Sequence, residues 1–338
     1  MAHEDRDHNG PHADGGDAHG GDAHGDQAHE DQDQAHESHA HAHGHAHAHH
    51  GGHGGHGDTD IDWAVMAPLL ESQAELLTPM YERVMAWLGR EVTEPGLIVD
   101  AGSGPGVVSC LFAESFPGAR VVAVDGSGPV LERARARAAR LGFADRFTTV
   151  TGELPGALAE LEYPADLLWA SNSLHHLGDQ RAALAAFAER LAPGGTLALL
   201  EGGLPARFLP RDFGIGRPGL QARLDAVEAE WFTRMREDLP GSVAETEDWP
   251  ALLAAAGLKP AGTRSFLLDL PAPLSDRARA YVVASLARLR EGLEDGLDAE
   301  DLATLDRLLD PDDEASVHRR GDVFVLKAHT VHTAVRTA

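Results

Sequence analysis

The sequence predicts an α/β chain built on a doubly wound, mostly parallel sheet. Short apolar runs alternate with helical stretches from Leu97 to Glu201. A glycine-rich turn, Val99-Asp100-Ala101-Gly102-Ser103-Gly104-Pro105-Gly106, directly follows the first run, and a second acid, Asp125, closes the next one. Glycine is required in such a turn because the chain must reverse between strand and helix, and a ligand must approach the backbone without a Cβ in the way. A carboxylate at the end of the second strand can accept both hydroxyls of a ribose, so the chain is expected to bind an adenosine-containing small molecule.

Ile61 to Arg90 reads as helical, with Trp63, Met66, Leu69, Leu70, Leu76, Leu77, Met80, Val84, Trp87 and Leu88 at three- to four-residue spacing. The core then alternates: strands at Leu97 to Ala101, Ala119 to Asp125, Phe147 to Thr151, Asp166 to Ser171 and Thr196 to Glu201, with helices at Pro105 to Phe116, Pro129 to Leu141, Ala157 to Leu161 and Asp179 to Leu191 between them. From Leu204 to Val243 prolines and glycines break the pattern before a helix at Leu220 to Met235, which reads as an insertion over the ligand cleft. Trp249 to Ala256 is helical and ends at Gly257; Pro260 to Leu270 reads as a strand. Ser275 to Leu309 is helical with an apolar stripe of Val282, Leu286, Leu289 and Leu293, and Val323 to Val335 alternates like a last strand.

The spacing of the loop selects the ligand. A dinucleotide fingerprint is G-x-G-x-x-G, with its third glycine inside the helix so that a pyrophosphate can sit on the helix N-terminus. Here the pattern is D-x-G-x-G-x-G, with Val107 where that third glycine would stand. An anion would be repelled by Asp100, whereas a ligand carrying an ammonium and a sulfonium would be attracted. With the motifs VDAGSGPG, VVAVDGS, TGELPGAL, DLLWASNSLHHLGD and LAPGGTLALLEGG in order, the stretch from about Gly96 to Gly203 resembles the class I S-adenosylmethionine-dependent methyltransferases.

The resemblance implies a Rossmann-like seven-stranded sheet with helical cap insertions, the last two strands forming an antiparallel edge. It implies S-adenosylmethionine as cofactor and a small-molecule methyl acceptor, bound under a cap of Ile61 to Arg90 and Leu204 to Ser242. Residues 58–338 would form the domain, with a cofactor core over 91–203 and cap elements over 61–90, 204–245 and 275–310. Asp100 and Gly102 would face the amino-acid end of the cofactor, with Gly104 and Gly106 giving it room. Asp125, followed by Gly126, would hold the ribose hydroxyls; the other reading of Asp125 is a turn-forming acid. Glu153 and Leu154 follow the third strand, where the family often places an acid that receives the adenine amino group. Asn172 would border the reacting methyl group, and Trp63 and Tyr81 would line the cleft.

Methyl transfer from a sulfonium is chiefly a matter of alignment, and a base is needed only when the acceptor must lose a proton. His175 and His176, just after the fourth strand, could supply one, packing being their other role.

The first 57 residues hold 16 histidines, 11 acids, Arg6 and almost nothing apolar, and are expected to stay unfolded. His41, His43, His45, His47, His49 and His50 offer imidazoles to Ni²⁺, Zn²⁺, Cu²⁺ or Co²⁺, with no spacing that defines one closed site. The remainder carries 43 acidic against 27 basic side chains, a net −16, which disfavours nucleic acid as substrate. The cluster Arg133, Arg135, Arg137 and Arg140 is expected on a solvated helix face. Without an apolar run of membrane-spanning length or a signal peptide, the expected location is the cytoplasm and no membrane partner is expected. Cys110 is the sole cysteine, so no intrachain disulfide can form. Two other readings are a nicotinamide-dependent oxidoreductase and a metal-buffering protein with a degenerate α/β domain.

Overall fold

A computed structural model describes residues 63–337. The expected unfolded segment over 1–57 and the six proposed metal-binding histidines lie outside the described residues.

The β-strands are β1 (Leu97–Ala101), β2 (Arg120–Asp125), β3 (Phe147–Thr151), β4 (Ala165–Ser171), β5 (Leu191–Arg207), β6 (Leu258–Leu270) and β7 (Val325–Arg336). They form one seven-stranded sheet in the order β3-β2-β1-β4-β5-β7-β6. β1 pairs in parallel with β2 and β4, β2 with β3 and β4 with β5, while β7 runs antiparallel between β5 and β6. All five residues of β1 are buried, as a central strand covered on both faces requires.

The helices are α1 (Trp63–Leu76), α2 (Thr78–Glu91), α3 (Val107–Ser115), α4 (Gly128–Arg140), α5 (Gln180–Glu189), α6 (Leu220–Asp238), α7 (Trp249–Ala255), α8 (Asp276–Gly292) and α9 (Ala299–Leu309). Strand side chains alternate between two apolar layers. Ile98, Leu167, Trp169, Ala198 and Leu200 pack into one layer with Met80 and Val84 of α2, Phe112 of α3, Leu131 of α4 and Val282 of α8. Val99, Leu168, Leu197 and Leu199 enter the other with Leu184 and Phe187 of α5 and Leu252 of α7. Cys110 is buried in the first layer.

Four expectations need correction. The helix over Ile61 to Arg90 is broken at Leu77, because Pro79 occupies the first turn of α2. The helix over Ser275 to Leu309 is likewise two, separated by a 3₁₀ turn at Glu294–Gly296 and restarted by Asp298, which caps α9 through the N–H groups of Glu300 and Asp301. β5 continues well beyond Glu201, because β7 pairs with it as far as Arg207 opposite Leu326. The arginine cluster of α4 is only partly solvated: Arg137 meets Glu71 and Glu75 of α1 at 2.7 Å each, and Arg133 meets Glu71 at 2.7 Å. No described helix is long and apolar enough to cross a membrane.

Candidate active site

The loop after β1 is built from left-handed glycines: Gly102, Gly104 and Gly106 have φ of 77°, 53° and 75°. The N–H groups of Gly102 and Ser103 both donate to the Val124 carbonyl, at 2.8 and 3.0 Å, and tie the loop to the end of β2. A Cβ on Gly102 would stand 2.7 Å from Cβ of Ser173, and one on Gly106 2.5 Å from Cβ of Ala134 in α4. At Gly104 no atom lies within 4 Å of that position, so this face of the loop is open.

Asp125 stands across from the opening. One carboxylate oxygen accepts the Gly104 N–H at 2.9 Å and the other accepts the Ser127 N–H at 3.0 Å. Each oxygen keeps a further lone pair, so a fixed, partly exposed carboxylate remains able to receive two hydroxyl donors. Gly126 follows, and a Cβ there would collide with the carboxylate of Glu153, which places that exposed acid against the same turn. Leu154 reaches the loop from the same segment, its Cδ1 3.8 Å from a Cβ built on Gly102. Gly102, Gly104, Asp125, Gly126, Glu153 and Leu154 are thus brought together at the carboxyl ends of β1, β2 and β3. An open glycine backbone beside a pre-oriented carboxylate and an apolar flank fits a nucleoside with vicinal ribose hydroxyls.

Asp100 is only 2% exposed and accepts the hydroxyl of Ser109 in α3. Burial pushes its carboxyl up to about 7, against the lowering effect of that hydrogen bond and with help from the Asp125 charge. Tyr81 is buried too, its hydroxyl pushed up to about 12 by burial. The side chain of Trp63 lies outside the described ones.

A second concavity, of about 290 Å³, opens at the ends of β4 and β5 against β7. Its walls include Asn172, His175, Glu201, Phe232 of α6, Trp249, Lys327 and His329. No described residue of α1 or α2 lines it. Asn172 closes β4 in a left-handed conformation, φ 48°, with its N–H donating to the Leu200 carbonyl at 3.0 Å.

Glu201, 4% exposed, accepts the Leu174 N–H at 2.9 Å with one oxygen and meets Nδ1 of His175 at 3.0 Å with the other. The rings of His175 and His176 pack with centroids 4.3 Å apart and planes tilted by 46°, and the centroid of the Phe232 ring stands 5.7 Å from that of His175. His329 is buried, its Nε2 has no hydrogen-bond partner among the described residues, and burial holds its imidazole down at about 3. Burial also lowers the Lys327 ammonium, with Arg288 adding to the effect and Glu228 opposing it.

Sequence reasoning found His175 but assigned nothing to Glu201, Lys327 or His329. For Glu201 a signal existed, since the run Leu197-Ala198-Leu199-Leu200 ends in an acid as the run before Asp125 does. Lys327 and His329 sit in a strand whose alternation says only that it is a strand. Among the described residues no group of three or more histidine, cysteine or carboxylate side chains could hold a metal ion.

A seven-stranded sheet in this order, with a left-handed glycine loop after β1 and an acid closing β2, defines a class I methyltransferase fold. Residues 99–197 match the family described as Methyltransferase domain, within the stretch whose motifs resemble the class I S-adenosylmethionine-dependent methyltransferases. The chain is 34% identical over 166 residues to a trans-aconitate 2-methyltransferase of Methylobacterium radiotolerans, covering 46% of this chain and 60% of that protein. A trans-aconitate 2-methyltransferase of Streptomyces coelicolor is 33% identical over 178 residues, covering 48% of this chain and 51% of its own length. The chain thus spans between about half and three fifths of these curated relatives. Among solved structures, an O-methyltransferase family protein from Burkholderia thailandensis is similar at 14% identity and a TM-score of 0.46, over 78% of this chain and 57% of that one.

Proposed function

We propose that this chain transfers a methyl group from S-adenosylmethionine to a small-molecule acceptor and releases S-adenosylhomocysteine. The carrying observation is the pairing of Asp125 with the open backbone at Gly104, a carboxylate fixed by two N–H donors beside a surface with no side chain in the way. When bound, the cofactor supplies an activated methyl group on a sulfonium. In this reading Asp125 receives the ribose hydroxyls, Glu153 the adenine amino group, and the open backbone at Gly104 admits the chain that carries the sulfonium. Asn172, at the border of the cofactor cleft and the second concavity, marks where the acceptor enters. The cytoplasm is the compartment this reading assigns.

Both relatives described above are named for trans-aconitate, a tricarboxylate. In this chain the acceptor cavity sets two carboxylates, Glu201 and Glu247, against one lysine, Lys327, which suits a less anionic acceptor.

Calorimetric titration of the full chain with S-adenosylmethionine and, separately, NADH tests the reading. Saturable binding of the sulfonium compound alone, weakened at least about tenfold by Asp125→Ala, is expected, a hydrogen-bonded charged group being worth about 1.5 kcal/mol or more. Binding of NADH, or of neither ligand, would overturn it.

A further inference from the structure

Resting on that reading and deepening it, we infer that the acceptor is a small aromatic compound with a neutral hydroxyl, whose proton passes to Nε2 of His175 while Glu201 holds the imidazole in place.

The dyad is built by two strand ends. The 3₁₀ turn Leu174–His176 leaves β4, and Glu201 stands on β5 beside it. Glu201 can only accept, so its contact with His175 assigns the ring proton to Nδ1 and leaves the lone pair on Nε2. No hydrogen bond engages Nε2 among the described residues, and His175 lines the cavity with its side chain partly exposed. Its backbone is held as well: Arg236 of α6 donates to the carbonyls of His175 and Leu177, at 2.7 Å each. Packing alone calls for neither a buried carboxylate on one ring nitrogen nor a place in the wall of a cavity. The charged and titratable groups around it are Glu201, His176, Arg236, Glu247, Lys327 and His329.

The cavity chooses among acceptors. At about 290 Å³ it suits a single ring, and Phe232, Trp249 and Pro205 supply apolar walls. Lys327, which lines the cavity, offers its ammonium to further polar substituents. A carboxylate, with a pKa of about 4, is already ionised at neutral pH, needs no base and would be repelled by Glu201 and Glu247. A phenolic hydroxyl, with a pKa of about 10, lies within a few units of imidazole, close enough for proton transfer during reaction. In the step, the acceptor O–H bond breaks with its proton on Nε2, and the oxygen lone pair forms the new O–C bond. The C–S⁺ bonding pair returns to sulfur as a neutral thioether, and the imidazolium is balanced by the Glu201 carboxylate.

The test uses the full chain loaded with S-adenosylhomocysteine and para-nitrophenol as an optical probe of phenol ionisation. Bound para-nitrophenol is expected to ionise about one pH unit below the free compound, since the imidazolium formed when His175 holds the proton favours the phenolate beside it. His175→Asn abolishes that shift while leaving S-adenosylhomocysteine affinity in place, which shows the variant folded. Glu201→Gln reduces it, acting through the imidazole. With S-adenosylmethionine, methylation of para-nitrophenol falls about 100-fold in His175→Asn, the low end for a general base. Failure of para-nitrophenol to bind, or an equal shift in His175→Asn, would overturn the inference alone. Failure to bind S-adenosylhomocysteine would instead remove the methyl-transfer reading, and the inference with it.

Discussion

Ser109 donates its hydroxyl to the buried carboxyl of Asp100, joining the first turn of α3 to the end of β1. The carboxyl sits up at about 7 in the folded chain, chiefly through burial, against an ordinary value of 3.8. Between those values the folded state binds more protons than the unfolded one, so stability declines as pH rises through this window and levels off above it. Asp100→Asn keeps an acceptor for Ser109 and removes the buried charge. It is expected to be more stable than the parent by roughly 2 kcal/mol at about pH 8 and nearly equal to it at about pH 4, by urea unfolding.

His329 works in the opposite direction. Its imidazole is held at about 3 by burial against 6.5 when unfolded, so the unfolded chain binds the extra proton and stability declines as pH drops through that window. Because this range overlaps that of Asp100, the two slopes offset each other in the parent. His329→Phe removes the acid-side loss, and its stability should fall less than the parent's between about pH 6 and 4 in the same assay.

The clamp of Glu71 and Glu75 on Arg137 is only partly solvated, Arg137 being 15% and Glu71 17% exposed. Hydrogen bonds to charged groups in such places are worth about 1.5 to 3 kcal/mol. Arg137→Met should therefore lower global stability by about 1 to 2 kcal/mol. It should also speed amide exchange in α1 well before exchange in β1 or β4, a difference readable by mass spectrometry.

Most of the strands were legible because the alternation of apolar runs and the turns between them are local properties. Phe147 to Thr151 coincides with β3, and Leu97 to Ala101 with β1. β5 beyond Glu201 was not legible: Gly202-Gly203-Leu204-Pro205 has the chemistry of a loop and becomes strand only because β7 pairs along it. The same limit divides the site. The glycine loop and Asp125 form within two adjacent strand ends, so their geometry follows from local spacing. The acceptor cavity joins Glu201 and His175 to Lys327 and His329 of β7, and only the antiparallel crossing of β7 brings them together. His175 looked ambiguous because its role depends on Glu201, a partner in the next strand.

Gly104 and Gly106 share a left-handed backbone but differ in what surrounds them. An L side chain in that conformation costs about 1 to 2 kcal/mol at either position. At Gly104 there is open space, so Gly104→Ala should cost only that strain; its methyl group would stand where the cofactor is proposed to lie. At Gly106 a Cβ would lie 2.5 Å from Cβ and 2.9 Å from Cα of Ala134, so the backbone of α4 must move. Overpacking of this kind adds about 1 to 3 kcal/mol to the strain. Relative to the parent, Gly106→Ala should therefore lose at least about 2 kcal/mol of stability, whereas Gly104→Ala should lose only the strain of about 1 to 2 kcal/mol yet bind S-adenosylmethionine at least about tenfold more weakly. Thermal unfolding and calorimetry on the two variants separate the cases. Equal effects on stability and binding at both positions would show that the loop is a structural turn with no ligand against Gly104.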